Sequence, residues 1–209
     1  AVEDSLRRLQ VDAIDLYQAH WPDPDTPYEE TLSAFAELLR AGRVRAVGAS
    51  NLDASQLAEA LRVADDAGLP RYQTLQPEYN LYDREGFEKE LEPLCMKEGL
   101  GVISYFSLAS GFLTGKYRSP ADFNKSARGG RMSAFLNAKG KRILAALDEV
   151  AEAHGVNPAA VALAWLIARP SITAPIASAT KEEQLKDFVA AATLKLTKEE
   201  IAKLDAAGA

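Results

Sequence analysis

The segment Ser5–Pro24, SLRRLQVDAIDLYQAHWPDP, joins the end of a helix to a strand and then to a loop. Its middle, Ala13–His20, is mostly apolar and predicts a strand with His20 at the carboxyl end. Ser5–Gln10 resembles the last turns of an amphipathic helix that begins upstream. We therefore expect this segment to be one junction in a repeating α/β chain and not its natural start.

The same alternation of strand and helix recurs along the chain. Further strands are predicted at Val44–Ala49, Gln73–Gln76, Val102–Tyr105 and Ile172–Ala177. Helices are predicted at Tyr28–Ala41, Ala54–Ala67, Phe87–Glu98, Ser133–His154 and 158–168, and the capping-box patterns Thr180–Glu183 and Thr197–Glu200 open two more. The alternation predicts βαβ units in a parallel sheet and a single α/β domain over residues 1–209. A doubly wound sheet needs no more than five strands, whereas a (β/α)8 barrel needs eight.

Composition excludes several classes of protein. A net charge of -6 and a pI near 5.1 argue against nucleic-acid binding, which needs a clustered positive surface. No apolar run approaches the ~20 residues of a membrane span, and no signal-peptide pattern opens the chain. The single cysteine, Cys95, lies in an apolar helical stretch and is expected in the core, and no metal-ligand spacing is present. These features predict a cytoplasmic protein that binds neither membrane nor nucleic acid.

Five motifs carry a resemblance to a known family. Besides Ser5–Pro24 they are GRVRAVGASNL (Gly42–Leu52), QPEYNLYDR (Gln76–Arg84), SYFSLASGFLTGKY (Ser104–Tyr117) and PIASATKEEQL (Pro175–Leu185). In this order they resemble the segments around strands four to eight of the aldo-keto reductases. The resemblance implies a TIM barrel, N-terminally incomplete, with about five βα units. It also implies NADP(H)-dependent reduction of a small aldehyde or ketone.

The resemblance assigns roles to two residues at the end of the first strand. His20 matches the catalytic histidine that hydrogen-bonds to the substrate carbonyl oxygen, and Trp21 matches a wall of the substrate pocket. The aspartate, tyrosine and lysine of the catalytic tetrad belong to the first three βα units and match nothing here. At ~30 residues per unit, about 90–100 residues would precede this chain.

The same resemblance implies a cofactor site spread over the remaining motifs. Ser50, Asn51 and Gln76 would hold the nicotinamide carboxamide, and Tyr105 would stack on its ring. Main-chain groups of Phe106 and Leu108 would contact the pyrophosphate, although Phe106-Ser107 stands where Ser-Pro is usual in the family. The long loop adds Ser110, Gly111, Lys116 and Arg128, and the last motif adds Ser178, Thr180, Lys181, Gln184 and Asp187 around the adenosine and its 2′-phosphate.

Each assignment has a simpler alternative. The basic residues of 107–132 also fit a solvated loop, and Thr180–Glu183 also fits a plain helix cap with no ligand. His154, in the last turn of a helix, is interpreted as structural. The whole chain also fits a non-catalytic cofactor-binding module, as in the potassium-channel β-subunits that QPEYNLYDR and GKY resemble. An inactive fragment is the remaining alternative, and its exposed strand edges predict self-association.

Overall fold

The computed structural model describes residues 1–125 and 129–209. Five strands are present in this part of the chain: β1 Ile14–Ala19, β2 Val44–Ser50, β3 Thr74–Gln76, β4 Gly101–Ser104 and β5 Ala174–Pro175. The α-helices are α1 Val2–Leu9, α2 Tyr28–Arg40, α3 Ala54–Ala67, α4 Glu85–Glu88, α5 Leu91–Glu98, α6 Ala138–His154, α7 Pro158–Ile167, α8 Glu183–Thr193 and α9 Lys198–Gly208. Short 3₁₀ helices occupy Ala109–Thr114, Pro120–Lys125 and Gly129–Ala134. The strand order is β1-β2-β3-β4-β5 and every pair is parallel, which confirms the predicted α/β class.

The chain forms two compact units, and the first consists of residues 1–77 and 89–102. In this unit β1 pairs with β2, β2 with β3, and β3 with the first residues of β4. Leu32 of α2, Leu57 of α3 and Leu75 of β3 are each 0% exposed, so the core of this unit lies between the strands and these two helices. Cys95 is buried there as well, as the sequence predicts.

The second unit consists of residues 78–88 and 103–209. Trp165 of α7 is fully buried and donates its indole N–H to Asp205 at 2.9 Å. The guanidinium of Arg169 lies 4.1 Å from the centre of the Trp165 ring.

Within the described residues no single helix is long and apolar enough to cross a membrane. Only α6 and α7 taken together, bent by 95° at their junction, meet the criteria of length and composition. The single domain predicted from the sequence stays a prediction.

Two of the predicted helix starts are confirmed by side-chain caps. Asp53 and Gln56 form a reciprocal capping box at the start of α3, and Thr197 and Glu200 form another at the start of α9. The predicted box Thr180–Glu183 is wrong, because α8 begins only at Glu183 and its N-cap residue makes no side-chain bond.

Two predicted helices have different bounds in the structure. The one expected at Phe87–Glu98 is two helices, since Pro93 lacks an N–H and its ring would clash with the carbonyl of Lys89 in an unbroken helix. The one expected from Ser133 begins at Ala138, because the side chain of Asn137 accepts from the N–H of Gly140 and caps it there. The predicted fifth strand, Ile172–Ala177, shortens to the two residues of β5.

Candidate active site

A polar face covers the carboxyl ends of the first three strands. Alternate residues of a strand point to the same side, so Gln18 and His20 share a face, as do Thr74 and Gln76. In the parallel register Gln18 lies opposite Gly48, and Gly48 lies opposite Thr74. One step further along, Ser50 lies opposite Gln76. The first unit therefore carries two rows of polar positions where parallel strands present functional groups.

His20 follows the last residue of β1 and is exposed. Its main-chain carbonyl accepts a 2.8 Å hydrogen bond from Nδ2 of Asn51, which also donates to the Ser50 hydroxyl at 3.2 Å. Asn51 has a φ of 58°, a left-handed conformation that asparagine tolerates better than most residues. Trp21 is 65% exposed, with its ring 5.8 Å from that of His20. Asn51 thus ties the end of β2 to the end of β1 beside the predicted catalytic residue.

The Ser50 hydroxyl continues this chain of hydrogen bonds into β3. It is buried and donates to the main-chain carbonyl of Gln76 at 2.8 Å. The amide nitrogen of Gln76 in turn donates to Oε1 of Gln18 at 3.0 Å. The structure therefore brings together four of the residues to which the resemblance assigns a role: His20, Ser50, Asn51 and Gln76.

Gln18 is the member of this network that the sequence reasoning missed. A signal was available, because Gln18 is a polar residue in the predicted strand and precedes His20 by two positions, which places both on the same face. Its amide nitrogen donates to Oγ1 of Thr74 at 3.4 Å and to the carbonyl of Ala49 at 3.5 Å. Gln18 reaches from β1 to β3 across Gly48, which has no side chain to block it.

In the second unit, Tyr105 directly follows β4 and forms a parallel bridge with Glu78. Its carbonyl accepts from the N–H of Tyr79 at 3.4 Å, and its ring meets that of Phe106 edge-on at 5.2 Å. Partial burial, followed by the negative charge of Glu78, raises the pKa of the Tyr105 hydroxyl. Burial also raises the pKa of Glu78, with Asp83 as the second cause. Tyr105 is therefore a neutral aromatic ring at ordinary pH.

The loop after Tyr105 has an unusual backbone. Phe106, Ala109 and Ser110 all have positive φ, between 47° and 55°, although none is glycine. The Phe106 carbonyl accepts from the side chain of Asn80 at 3.1 Å and from the N–H of Ala109 at 2.7 Å. Asn80 is fully buried and the sequence reasoning did not identify it. Its amide holds a strained turn in place, as such turns need.

The predicted pyrophosphate residues of this loop lie close to one another. Leu108 accepts through its carbonyl from the N–H of Gly111 at 2.8 Å. The Lys116 ammonium lies 3.7 Å from the point where a Cβ on Gly111 would stand, and 5.0 Å from the centre of the Tyr117 ring. Gly111 has a φ of 99°, a conformation that other residues rarely adopt. Arg128 lies outside the described residues.

The predicted adenosine residues lie around the start of α8. Ser178, Thr180 and Lys181 precede the helix, whereas Gln184 and Asp187 belong to its first turns. The side chain of Gln184 accepts from the N–H groups of Thr180 at 2.7 Å and Lys181 at 3.3 Å, so these amides are already engaged. Asp187 accepts from the side chain of Asn157 at 2.7 Å. Ser178 and Lys181 are exposed. The N–H groups of Thr180 and Lys181 are therefore not available to an anion, whereas the exposed ammonium group of Lys181 is.

Comparison with known proteins gives a consistent result. The sequence profile described as "Aldo/keto reductase family" matches residues 1–209. Protein tas of Escherichia coli (strain K12) is 35% identical over 226 residues, which covers 99% of this chain. A probable voltage-gated potassium channel subunit beta of Oryza sativa subsp. japonica is 36% identical over 209 residues, covering 97% of the chain.

The solved structures agree with the sequence comparison. The crystal structure of a thermostable aldo-keto reductase in complex with the inhibitor epalrestat matches with a TM-score of 0.77 and 32% identity over 99% of this chain. The chain spans just under two thirds of the length of these relatives: 65% of Protein tas, 64% of the potassium channel subunit and 64% of the crystallised reductase. The five parallel strands and their helices are thus an incomplete form of the TIM barrel that the sequence motifs imply.

Proposed function

Because the chain belongs to the aldo/keto reductase family, whose members are oxidoreductases that generally use NADP(H), we propose that it serves NADP(H)-dependent reduction of small aldehydes or ketones. The observation that carries this proposal is the hydrogen-bonded set of His20, Asn51, Ser50 and Gln76 at the strand ends. A substrate carbonyl oxygen needs a donor, and the imidazole of an exposed histidine supplies one. Trp21, exposed beside it, is the proposed wall of the substrate pocket.

The polar groups of the first unit fit a carboxamide. The Ser50 hydroxyl uses its hydrogen on the Gln76 carbonyl and so meets a ligand as an acceptor, and the Gln76 side chain offers a second polar group beside it. When bound, the nicotinamide supplies the hydride that reduces the carbonyl carbon. We assign the stacking face to Tyr105, whose neutral ring needs no counter-ion. The tetrad's proton-donating tyrosine, with its lysine and aspartate, is assigned to no residue of this chain.

The remaining contacts are proposed for the phosphates. Lys116 and Gly111, close together in the loop, and main-chain groups of Phe106, Leu108 and Ser110 would meet the pyrophosphate. Lys181 and Ser178, both exposed, would meet the adenosine 2′-phosphate, with Thr180, Gln184 and Asp187 shaping that segment. A lysine near a 2′-phosphate favours NADP(H) over NAD(H), because NAD(H) lacks that charge. Arg128 is proposed as a further cationic contact of the same pyrophosphate.

A second candidate function is cofactor binding without turnover. It is favoured by the 36% identity to the probable potassium channel subunit beta. This alternative needs the same nucleotide contacts and no proton donor. The two functions therefore differ in turnover and not in nucleotide binding.

Fluorescence titration with NADPH, beside an assay of NADPH oxidation with 4-nitrobenzaldehyde, separates the candidates. Reductase function predicts that His20→Ala lowers turnover by more than about tenfold with the NADPH Kd nearly unchanged. His154→Ala is the matched control, since this histidine contacts Glu200 at 2.7 Å in the second unit and is assigned no role. Tight NADPH binding without turnover, in a protein that also carries the tetrad's tyrosine, lysine and aspartate, would favour the binding module.

The cofactor assignment has its own test in the same titration. Lys181→Met is expected to weaken NADPH by about three- to tenfold and to leave NADH unchanged, because only the 2′-phosphate loses its partner. An equal loss for both nucleotides would contradict the assignment. Absence of binding to either nucleotide would refute the proposed function as a whole.

A further inference from the structure

The side-chain amide of Gln76 has two possible orientations. A glutamine amide has an oxygen that accepts and a nitrogen that donates, and either end fits the same space. A carboxamide ligand also has both ends. The orientation of the Gln76 amide therefore determines which end of the ligand it selects, and something on the protein must fix that orientation.

We infer that Gln18 is a positioning residue that fixes the Gln76 amide with its oxygen toward the ligand and so selects a cofactor ring bearing an N–H donor. This inference rests on the proposed function. The contact that carries it is the 3.0 Å hydrogen bond from the Gln76 nitrogen to Oε1 of Gln18. Because the amide is planar and its nitrogen is held by Gln18, its oxygen points in a different direction, away from that hydrogen bond. No residue in the described part of the chain donates to that oxygen.

The orientation of Gln18 is itself determined by its neighbours. Its nitrogen donates to Oγ1 of Thr74 at 3.4 Å and to the Ala49 carbonyl at 3.5 Å. The Ala49 carbonyl can only accept, so these two long contacts favour the nitrogen of Gln18 on the Ala49 side and leave its oxygen to accept from Gln76. The order of donors and acceptors therefore runs from the backbone of β2 through Gln18 to Gln76.

Gly48 makes this arrangement sterically accessible. It lies between Gln18 and Thr74 in the parallel register. A Cβ at this position would stand 2.1 Å from the Thr74 hydroxyl and 3.2 Å from Cγ of Gln18. Any other residue here would push apart the side chains that meet across β2. The hydrogen bonds of Gln18 thus depend on the absence of a side chain at Gly48 in β2.

The expected consequence is selectivity for the ring substituent of the cofactor. A carboxamide donates from its NH₂ group to the Gln76 oxygen, whereas an acetyl group of nearly the same shape has no hydrogen to donate. Facing a fixed acceptor, the acetyl analogue loses a hydrogen bond and leaves the oxygen of Gln76 unpaired. We expect NADP⁺ to bind about five- to tenfold more tightly than 3-acetylpyridine adenine dinucleotide phosphate.

The test compares these two nucleotides on the full chain by calorimetric titration. Gln18→Met keeps length and neutrality but has no strong acceptor, so the Gln76 amide is free to turn its NH₂ group to the acetyl oxygen. The ratio of the two Kd values is expected to fall to within about twofold. Gln18→Glu keeps an acceptor for the Gln76 nitrogen, and its second oxygen can accept from the Thr74 hydroxyl where Gln18 donates to it. The ratio for this variant is expected to stay near that of the native chain. Met96→Leu, at an exposed position of α5, is the substitution control.

A second readout needs no nucleotide. The side-chain NH₂ resonances of Gln76 in a ¹⁵N–¹H spectrum are expected to shift in Gln18→Met and to keep their hydrogen-bonded character in Gln18→Glu. Unmoved Gln76 resonances in Gln18→Met would overturn the inference. So would a loss of affinity by the same factor for both nucleotides, which is what a merely structural residue produces. If the native chain binds neither nucleotide, the proposed function is refuted, and the inferred selectivity with it. If the native chain binds both nucleotides with equal affinity, only the inferred selectivity is refuted.

Discussion

Gly48→Ala gives the sharpest test of the packing across the first three strands. The added methyl carbon would stand 2.1 Å from the Thr74 hydroxyl oxygen, 3.0 Å from the Thr74 carbonyl oxygen and 3.2 Å from Cγ of Gln18. Ordinary contacts are ~3.5–4.0 Å, so the first distance requires a real displacement. Thr74 is β-branched and stiff, and its carbonyl is part of the strand. Overpacking of this kind costs typically 1–3 kcal/mol, and we expect about 2 kcal/mol for Gly48→Ala.

Two partner substitutions separate the clash from other effects of the alanine. Thr74→Ala removes the hydroxyl at 2.1 Å and is expected to recover about 1 kcal/mol when combined with Gly48→Ala. Thr74→Val keeps an atom of similar size at that point and is expected to recover nothing. Gly86→Ala is the control, because a Cβ there meets nothing within 4 Å and the residue lies in α4. It is expected to be neutral or stabilising by roughly 0.5–1 kcal/mol.

Urea unfolding followed by far-ultraviolet circular dichroism measures the single variants and the two double variants, with the free energy of unfolding taken from the midpoint and slope. A Gly48→Ala cost below about 0.5 kcal/mol would refute the steric argument. Equal costs in the Thr74→Ala and Thr74→Val backgrounds would refute the assignment of that cost to the hydroxyl contact. An unchanged slope is expected throughout, because none of the changes alters the surface exposed on unfolding.

Three further predictions concern single side chains. Asp53→Ala should cost about 1 kcal/mol in urea unfolding and Asp53→Asn much less, because the Asp53 side chain caps α3 at 2.8 Å from the N–H of Gln56. Ser104→Ala should leave the unfolding free energy within about 0.5 kcal/mol or raise it, since its fully buried hydroxyl has no hydrogen-bond partner among the described residues; a cost above 1 kcal/mol would reveal one. Burial raises the pKa of Cys95 to about 11, so its thiol should react with Ellman's reagent at pH 8 only as fast as the chain opens. Because the folded state holds that proton more tightly than the unfolded state, the stability that Cys95 contributes should be fully present below about pH 8.5 and should be lost as the pH rises toward 11.

The sequence by itself determined the order and type of the elements. Alternating apolar strands and amphipathic helices predict a parallel sheet because both periodicities are local properties of the chain. Caps such as Asp53 and Thr197 act within three residues, so their patterns are visible without a fold. The five motifs added the family and the residues to examine, and the grouping of His20, Ser50, Asn51 and Gln76 follows from their places at the ends of parallel strands.

Only the tertiary structure decided which polar groups meet. Gln18 and Gln76 are 58 residues apart, and their contact depends on the register of three strands and on the gap at Gly48. Asn80 holds the Phe106 carbonyl from 26 residues away, which no local pattern shows. The segment before α8 looks like a helix cap in sequence, yet the Gln184 side chain takes the N–H groups of Thr180 and Lys181 and the helix begins later. In the first two cases a long-range hydrogen bond sets the outcome, because a polar group leaving water must be paired and the partner is chosen by the fold. In the third case a nearby side chain competes for exposed N–H groups.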